Sequence, residues 1–432
     1  MDFVLPTISI DFSWFEMLGQ QSFLGIMWTL FIYGGWIPLV YIFIWGGLQV
    51  WLYQRRLKYA KTLNFVTLAI DVPKNTEQTP KAVENIFNHL QGAKSSINFK
   101  EKWWDGHFWT AVSLELISIE GYVQFLVNAQ SKFRNVVEAA FYAQYPNIEI
   151  VEVEDYSRAV PGKYPDKDYE WWGTEIKLKK SFAYPIRTYP DFEDKVSGEF
   201  KDPLSNFLES IAKLGKGEQF WMQILIVPGG DSLFKEGEKI VDKISGRKRE
   251  QKTTLLQKVL NIPVIIISEA FNAVFGPAEE FKKPEKKEGD MFKMFNLTPL
   301  ERKTLEDVEY KASKPAFDAK IRWVYYAKKE VFSVGNIYGH IKGFMKQYVG
   351  SNMLGTDPRT ITKGDYFWQK WDVPRRKRML MQNYRDRDIW AGLSSYILNT
   401  EELATLYHFP AIEVKAPLVK KAESKRAEPP FT

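Results

Sequence analysis

The run from Phe23 to Tyr53, FLGIMWTLFIYGGWIPLVYIFIWGGLQVWLY, contains no charged residue and gives way to Arg55, Arg56, Lys58 and Lys61. A helix rises about 1.5 Å per residue, so such a run reaches about 45 Å against a hydrocarbon core of roughly 30 Å. The pattern predicts a transmembrane helix over residues 23–54, tilted or with its ends among the headgroups. Pro38 lies among Gly34, Gly35, Gly46 and Gly47, which predicts a kink. Other origins of the run fit less well. A cleaved signal peptide has a basic start and an apolar core of about 7–15 residues, whereas this chain starts with Asp2, Asp11 and Glu16. A helix in a soluble core rarely stays this long without a charge. A hairpin broken at Gly34 to Pro38 would leave each arm too short to cross.

The cationic cluster orients the run. Residues 1–22 are expected outside, and the rest of the chain in the cytoplasm, on a single-pass inner-membrane protein. Trp51, Tyr53 and Tyr59 would lie at the inner interface, where amphipathic rings settle. The net charge of +6 is mild and partly reflects this cluster. With no cysteine in the chain, disulfides, thiolate metal sites and cysteine nucleophiles are excluded, as suits a reducing compartment. Aromatic residues make up 15%, more than the run alone explains, and core or interaction surfaces must hold the remainder.

Beyond the run the pattern is α+β. Asn64 to Val72, β-branched and apolar and closed by Pro73, reads as a strand, and Thr79-Pro80 opens a helix with Val83, Ile86, Phe87 and Leu90 on one face. Thr110–Ile119 and Tyr122–Asn128 form a hairpin across Glu120-Gly121. Ser131 begins a second helix and Ile148–Glu154 a last strand. This βαββαβ order predicts a ferredoxin-like sandwich over residues 62–156. A linker follows, and then a second copy over residues 170–373: a strand Thr174–Thr188, a helix begun by Asp202-Pro203, a strand Gln219–Val227, a strand Asp318–Lys328 and a helix Val334–Val349. Asp365–Trp371 is the expected fourth strand. The second copy is interrupted by residues 229–297, including a charged tract, FKKPEKKEGD, expected to be mobile. Thr298-Pro299 starts a charged helix. Residues 374–410 read as a basic helix, a short strand and a closing helix, and residues 411–432 as a disordered polar tail. The expected whole is thus a transmembrane helix followed by two ferredoxin-like domains, the second with a long insertion.

No Gly-x-x-x-x-Gly-Lys-Ser/Thr loop occurs, so ATP hydrolysis is not expected. His89, His107, His340 and His408 are scattered without metal-ligand spacing, and no G-x-S-x-G is present. His408 follows an apolar helix and suits packing or capping. No catalytic, metal or cofactor residue is assigned. The densest charge is Arg375, Arg376, Lys377, Arg378, Arg385 and Arg387. Such a run can neutralise phosphates, but Asp386 and Asp388 interleave with it, and a solvated helix or a docking surface for an acidic partner fits as well. The first sheet is a poor RNA platform, because Ser113, Glu115 and Gln124 would occupy the face away from the helices.

The stretches VEAAFYAQYPNIEIVEVEDY, SKPAFDAKIRWVYYAK and LNTEELATLYHFP resemble the membrane-anchored N-terminal module found in, or encoded beside, HerA/FtsK-superfamily ATPases of conjugation-like type IV secretion systems. The resemblance covers most of the chain after the apolar run, and its motifs are structural. In fused relatives the motor follows the segment matching Leu398–Pro410. Here only a short tail follows. The resemblance therefore implies a non-catalytic scaffold, not an enzyme, that recruits or orients a separately encoded ATPase. It places Glu401, Glu402, Leu403, Leu406 and Tyr407 beside that motor, unless they simply close the second domain. The alternative is a membrane-tethered nucleic-acid-binding protein using residues 375–387. Lipid bilayer and ATPase are the expected partners, with DNA and a second copy of the chain left open.

Overall fold

In the computed structural model, described for residues 22–32, 36–73, 78–92, 96–194, 200–245, 297–364 and 366–410, the chain is α+β. It forms two units, one of residues 1–63 with 96–109 and one of residues 64–95 with 110–432.

In the first unit, α1 (Phe23–Leu30) is capped by Ser22, whose hydroxyl accepts from the Gly25 amide at 3.3 Å. α2 spans Trp36–Ala60. Among the described residues no helix is long and apolar enough to cross a membrane, which corrects the single helix expected over residues 23–54. The charges at Arg55, Arg56 and Lys58 fall inside α2, and its uncharged part, Trp36–Tyr53, measures only about 27 Å at about 1.5 Å per residue. Most of its large apolar side chains are nonetheless exposed, among them Ile37, Ile42, Phe43, Ile44 and Val50. A π turn, Glu101–Asp105, completes this unit.

The second unit is built on one sheet of nine strands. Its first half runs β1 (Phe65–Asp71), α3 (Pro80–Gly92), β2 (Val112–Ile119), β3 (Tyr122–Gln130), α4 (Arg134–Gln144) and β4 (Glu149–Val153). Its second half runs β5 (Tyr169–Leu178), α5 (Ser205–Ala212), β6 (Glu218–Gly229), α6 (Asp231–Ser245), α7 (Pro299–Ser313), β7 (Ala316–Lys328), α8 (Val334–Gln347) and β8 (Leu354–Thr356). α9 (Phe367–Arg385), β9 (Tyr396–Asn399) and α10 (Thr400–Leu406) follow. The sheet order is β4-β1-β3-β2-β6-β7-β5-β8, with β9 on β7. Each half has the same internal order, first-to-last neighbours 4-1-3-2. The halves meet where β2 pairs antiparallel with β6, Glu115 opposite Gln223.

Alternation along the strands sends side chains to both faces. Leu114, Leu116, Ile224, Ile321 and Trp323 pack under α3, α4, α5, α8 and α10. On the opposite face Ile117, Trp171, Trp221, Val324 and Tyr326 pack with Leu380, Met381 and Tyr384 of α9. That face is covered rather than open. The pair α6 and α7 forms a smaller cluster through Leu233, Ile240 and Val308.

Two sequence expectations change here. The fourth strand of the second half is β8, three residues long and paired with Ile176–Leu178. The aromatic stretch through Trp371 is instead the start of α9, begun by a capping box between Tyr366 and Gln369. β5 begins at Tyr169 and ends at Leu178, earlier than the Thr174–Thr188 expected. The tract FKKPEKKEGD and the tail from residue 411 lie outside the described residues.

Candidate functional site

One rung of the ladder crosses four neighbouring strands with polar side chains throughout. Glu115 on β2 stands opposite Gln223 on β6, Gln223 opposite Arg322 on β7, and Arg322 opposite Glu175 on β5. All four are buried on the face that α9 covers. Burial of a charge is tolerated only when paired and hydrogen-bonded, and here each is. Arg322 Nε donates to Glu175 at 2.8 Å, its Nη1 to the carbonyl of Asn383 at 2.9 Å, and its Nη2 to those of Asp388 and Ala391 at 2.6 and 2.8 Å. Glu175 also accepts from the Leu393 amide at 2.6 Å. Gln223 donates to Glu115 and to the Tyr384 carbonyl. The rung thus fixes the C-terminal end of α9 and the turn after it.

Glu115 is the hub of the other end. It accepts from Ser113 at 2.6 Å, Tyr156 at 2.9 Å and Arg387 Nε at 2.8 Å. Arg387 also donates to Asp155 at 2.8 Å and holds a left-handed backbone, φ 49°. Burial works to raise the Asp155 carboxyl, and the hydrogen bonds and charge of Arg387 outweigh it and hold it below the usual range. Lys320, two residues before Arg322 on the same strand, donates to the Ala391 carbonyl at 2.7 Å, and burial pushes its ammonium down to about 8. At Gly392, φ +87°, a Cβ would lie 2.3 Å from the Glu175 carboxylate, so only glycine lets the turn close over it.

The basic run expected to meet DNA or a partner is mostly used inside the fold. Arg376 binds Asp372 and the carbonyls of Pro358 and Ile361. Lys377 is buried against Glu170 at 2.5 Å and over the Tyr164 ring. Arg385 donates to the Val160 carbonyl at 2.5 Å. Arg387 is in the network above. Arg375, paired with Asp372, and Arg378 remain exposed. Arg378 and Arg385 line a shallow cavity of about 420 Å³ with Lys163, Tyr164, Gln382 and Asp386.

The five residues expected to abut a motor are interior. Glu401 is 2% exposed, Glu402, Leu403 and Tyr407 0%, and Leu406 1%. Glu402 forms a fully buried ion pair with Lys311 at 2.8 Å and caps α10 with Asn399. Glu401 and Glu84 both bind Lys314. Leu403, Leu406 and Tyr407 belong to the main core. These residues pack on the first half of the sheet unit as well as the second, Tyr407 edge-on to Phe125 of β3 and Glu401 joined to Glu84 of α3 through Lys314, and all five are enclosed by the chain itself. His408 is buried too, its Nε2 2.9 Å from Asp202 and its Nδ1 3.0 Å from the Ala404 carbonyl.

In the first unit, Arg56, Lys58 and Lys61 are exposed, and Arg55 lies over the Trp51 ring at 5.3 Å. What sequence reasoning missed is the polar rung. Its trace is a single polar residue inside an otherwise apolar or aromatic stretch, Arg322 in IRWVYY and Gln223 in FWMQILIV.

Compared with known proteins, the chain matches over residues 65–422 the model of a family described as a domain of unknown function, DUF8128, and belongs to that family. The match begins at β1. No curated protein matches the chain.

Proposed function

We propose that this DUF8128 member is a membrane-anchored, non-catalytic scaffold, with its N-terminus outside the inner membrane and its sheet unit in the cytoplasm. The observation that carries the reading is the exposure of the uncharged apolar side chains on α1 and α2, ended by a cationic turn. Water is a poor solvent for such a surface, whereas an apolar patch of this extent marks a membrane or partner contact. The membrane-bound part is the whole Phe23–Tyr53 run, since α2 alone falls short of the roughly 30 Å core. The repeated 4-1-3-2 order supports a finer reading of the sheet as two ferredoxin-like units joined edge to edge.

The partner we propose is a separately encoded ATPase of the HerA/FtsK type, on the strength of the sequence resemblance. It must be held through surface other than residues 401–407, which the core occupies. The rival, a tethered nucleic-acid binder, is weakened because Arg376, Lys377, Arg385 and Arg387 already have partners within the chain. Affinity purification in mild detergent at native expression tests the reading. An ATPase retained with the chain supports it, and recovery of the chain alone contradicts it.

A further inference from the structure

Residues 96–109 leave the sheet unit between α3 and β2 and pack on α2 instead. Their sequence, SINFKEKWWDGHFW, is rich in aromatic rings and carries Lys100 and Lys102 beside Glu101 and Asp105. The contact is specific. Trp104 meets Trp51 edge-on with ring centroids 5.5 Å apart, and Tyr59 holds His107 at 4.3 Å and Phe108 at 5.7 Å. Gly106, φ +75°, makes this approach feasible, since a Cβ there would lie 2.5 Å from the Arg55 backbone. Asn98 donates its amide to Glu101 at 2.8 Å, and the His107 amide closes the π turn on the Glu101 carbonyl at 2.8 Å.

The outer side of the segment is what needs explaining. Phe99 is 75% and Trp104 60% exposed, although both are large apolar rings on a folded element. Phe99 also lies 6.1 Å from Trp103, so the rings form a group. Trp51 sits where the uncharged run ends, and Tyr59 lies about 12 Å further along the helix. The segment therefore covers the depth from the edge of a hydrocarbon core through its headgroup layer, which is of the order of 5–8 Å on each side. Its cations stand at the same level. Arg55, Arg56 and Lys58 on α2 and Lys61 in the turn after it join Lys100 and Lys102, against Glu101 and Asp105.

We infer that residues 98–108 form, with the basic turn of α2, a docking element for anionic lipid headgroups. The exposed rings enter the interface and the ammonium and guanidinium groups take the lipid phosphates and carboxylates. Aromatic rings favour that layer, and each Lys or Arg near an anionic surface strengthens binding about fivefold. The inference rests on the membrane reading above, and it adds the lipid class and the element that recognises it.

Flotation of the full chain with vesicles of pure phosphatidylcholine, and with vesicles containing 30% phosphatidylserine, separates the two. The expected result is recovery with both, with anionic vesicles favoured. K100Q/K102Q should reduce that preference about 25-fold, and W104A should weaken association with the anionic vesicles, neither changing the far-ultraviolet circular dichroism. G106L, which keeps every charge but forces the segment off α2, should also reduce the preference. Equal recovery with both compositions, or variants that behave as the parent, overturns the docking element while leaving the anchor standing. Recovery with anionic vesicles alone supports the element and contradicts the inserted anchor. Recovery with neither overturns both.

Discussion

Lys320 shows how a single residue can carry a measurable signature of this fold. Its ammonium is buried beside Arg322, and burial lowers it from 10.5 to about 8, with Arg322 opposing protonation further and Glu175 and Asp388 favouring it. Below about pH 8 both folded and unfolded chains hold this proton, and the penalty of burying it is fully present. Between about 8 and 10.5 the unfolded chain still binds the proton that the folded chain has released, so the contribution of Lys320 to stability rises with pH. Buried tyrosines such as Tyr145 and Tyr326, whose hydroxyls burial raises, oppose the rise as pH nears 10, so the difference between the wild-type chain and Lys320→Met isolates the lysine. In urea denaturation Lys320→Met should be the more stable at pH 7 and its advantage should shrink from pH 8 to 10, whereas a difference that does not change with pH would contradict the burial of a charged lysine at this site.

α9 is the element whose role was least legible beforehand. Its density of Arg and Lys resembles a solvated or phosphate-binding face, and nothing local reveals that Lys377 belongs to Glu170 or Arg387 to Glu115 and Asp155. Those pairs connect residues far apart in sequence, and single-chain periodicity carries no record of them. The strands and helices of the first half were legible because each has its own period and punctuation, from Pro80 at the start of α3 to the Glu120-Gly121 turn. β8 was not, being three residues long and defined only by its pairing with β5. Because Arg322 ties three carbonyls after and within α9 to the sheet, Arg322→Ala leaves Glu175 charged and buried. A loss of about 3–5 kcal/mol is expected, with faster amide exchange along α9 than along α3. Uniform exchange across both helices would mean that the rung does not hold α9 locally.

At the scale of the molecule, the sheet unit repeats one 4-1-3-2 order and, among the described residues, packs apolar side chains against both faces of its sheet. The apolar helices, by contrast, have no protein cover on most of their side chains. The uncharged run Phe23–Tyr53 is what suggests a membrane in the sequence, and in the folded chain it holds α1, Phe23–Leu30, and most of α2, Trp36–Ala60. Likewise the segment 96–109, which reads along the sequence as a loop of the first half, belongs structurally to the first unit with α1 and α2. Alkaline carbonate extraction of membranes from cells making the full chain tests the anchor directly. The chain is expected to stay in the membrane pellet, and Ile37→Lys/Ile44→Lys/Val50→Lys to move it to the supernatant. Recovery of the unaltered chain in the supernatant would contradict membrane anchoring.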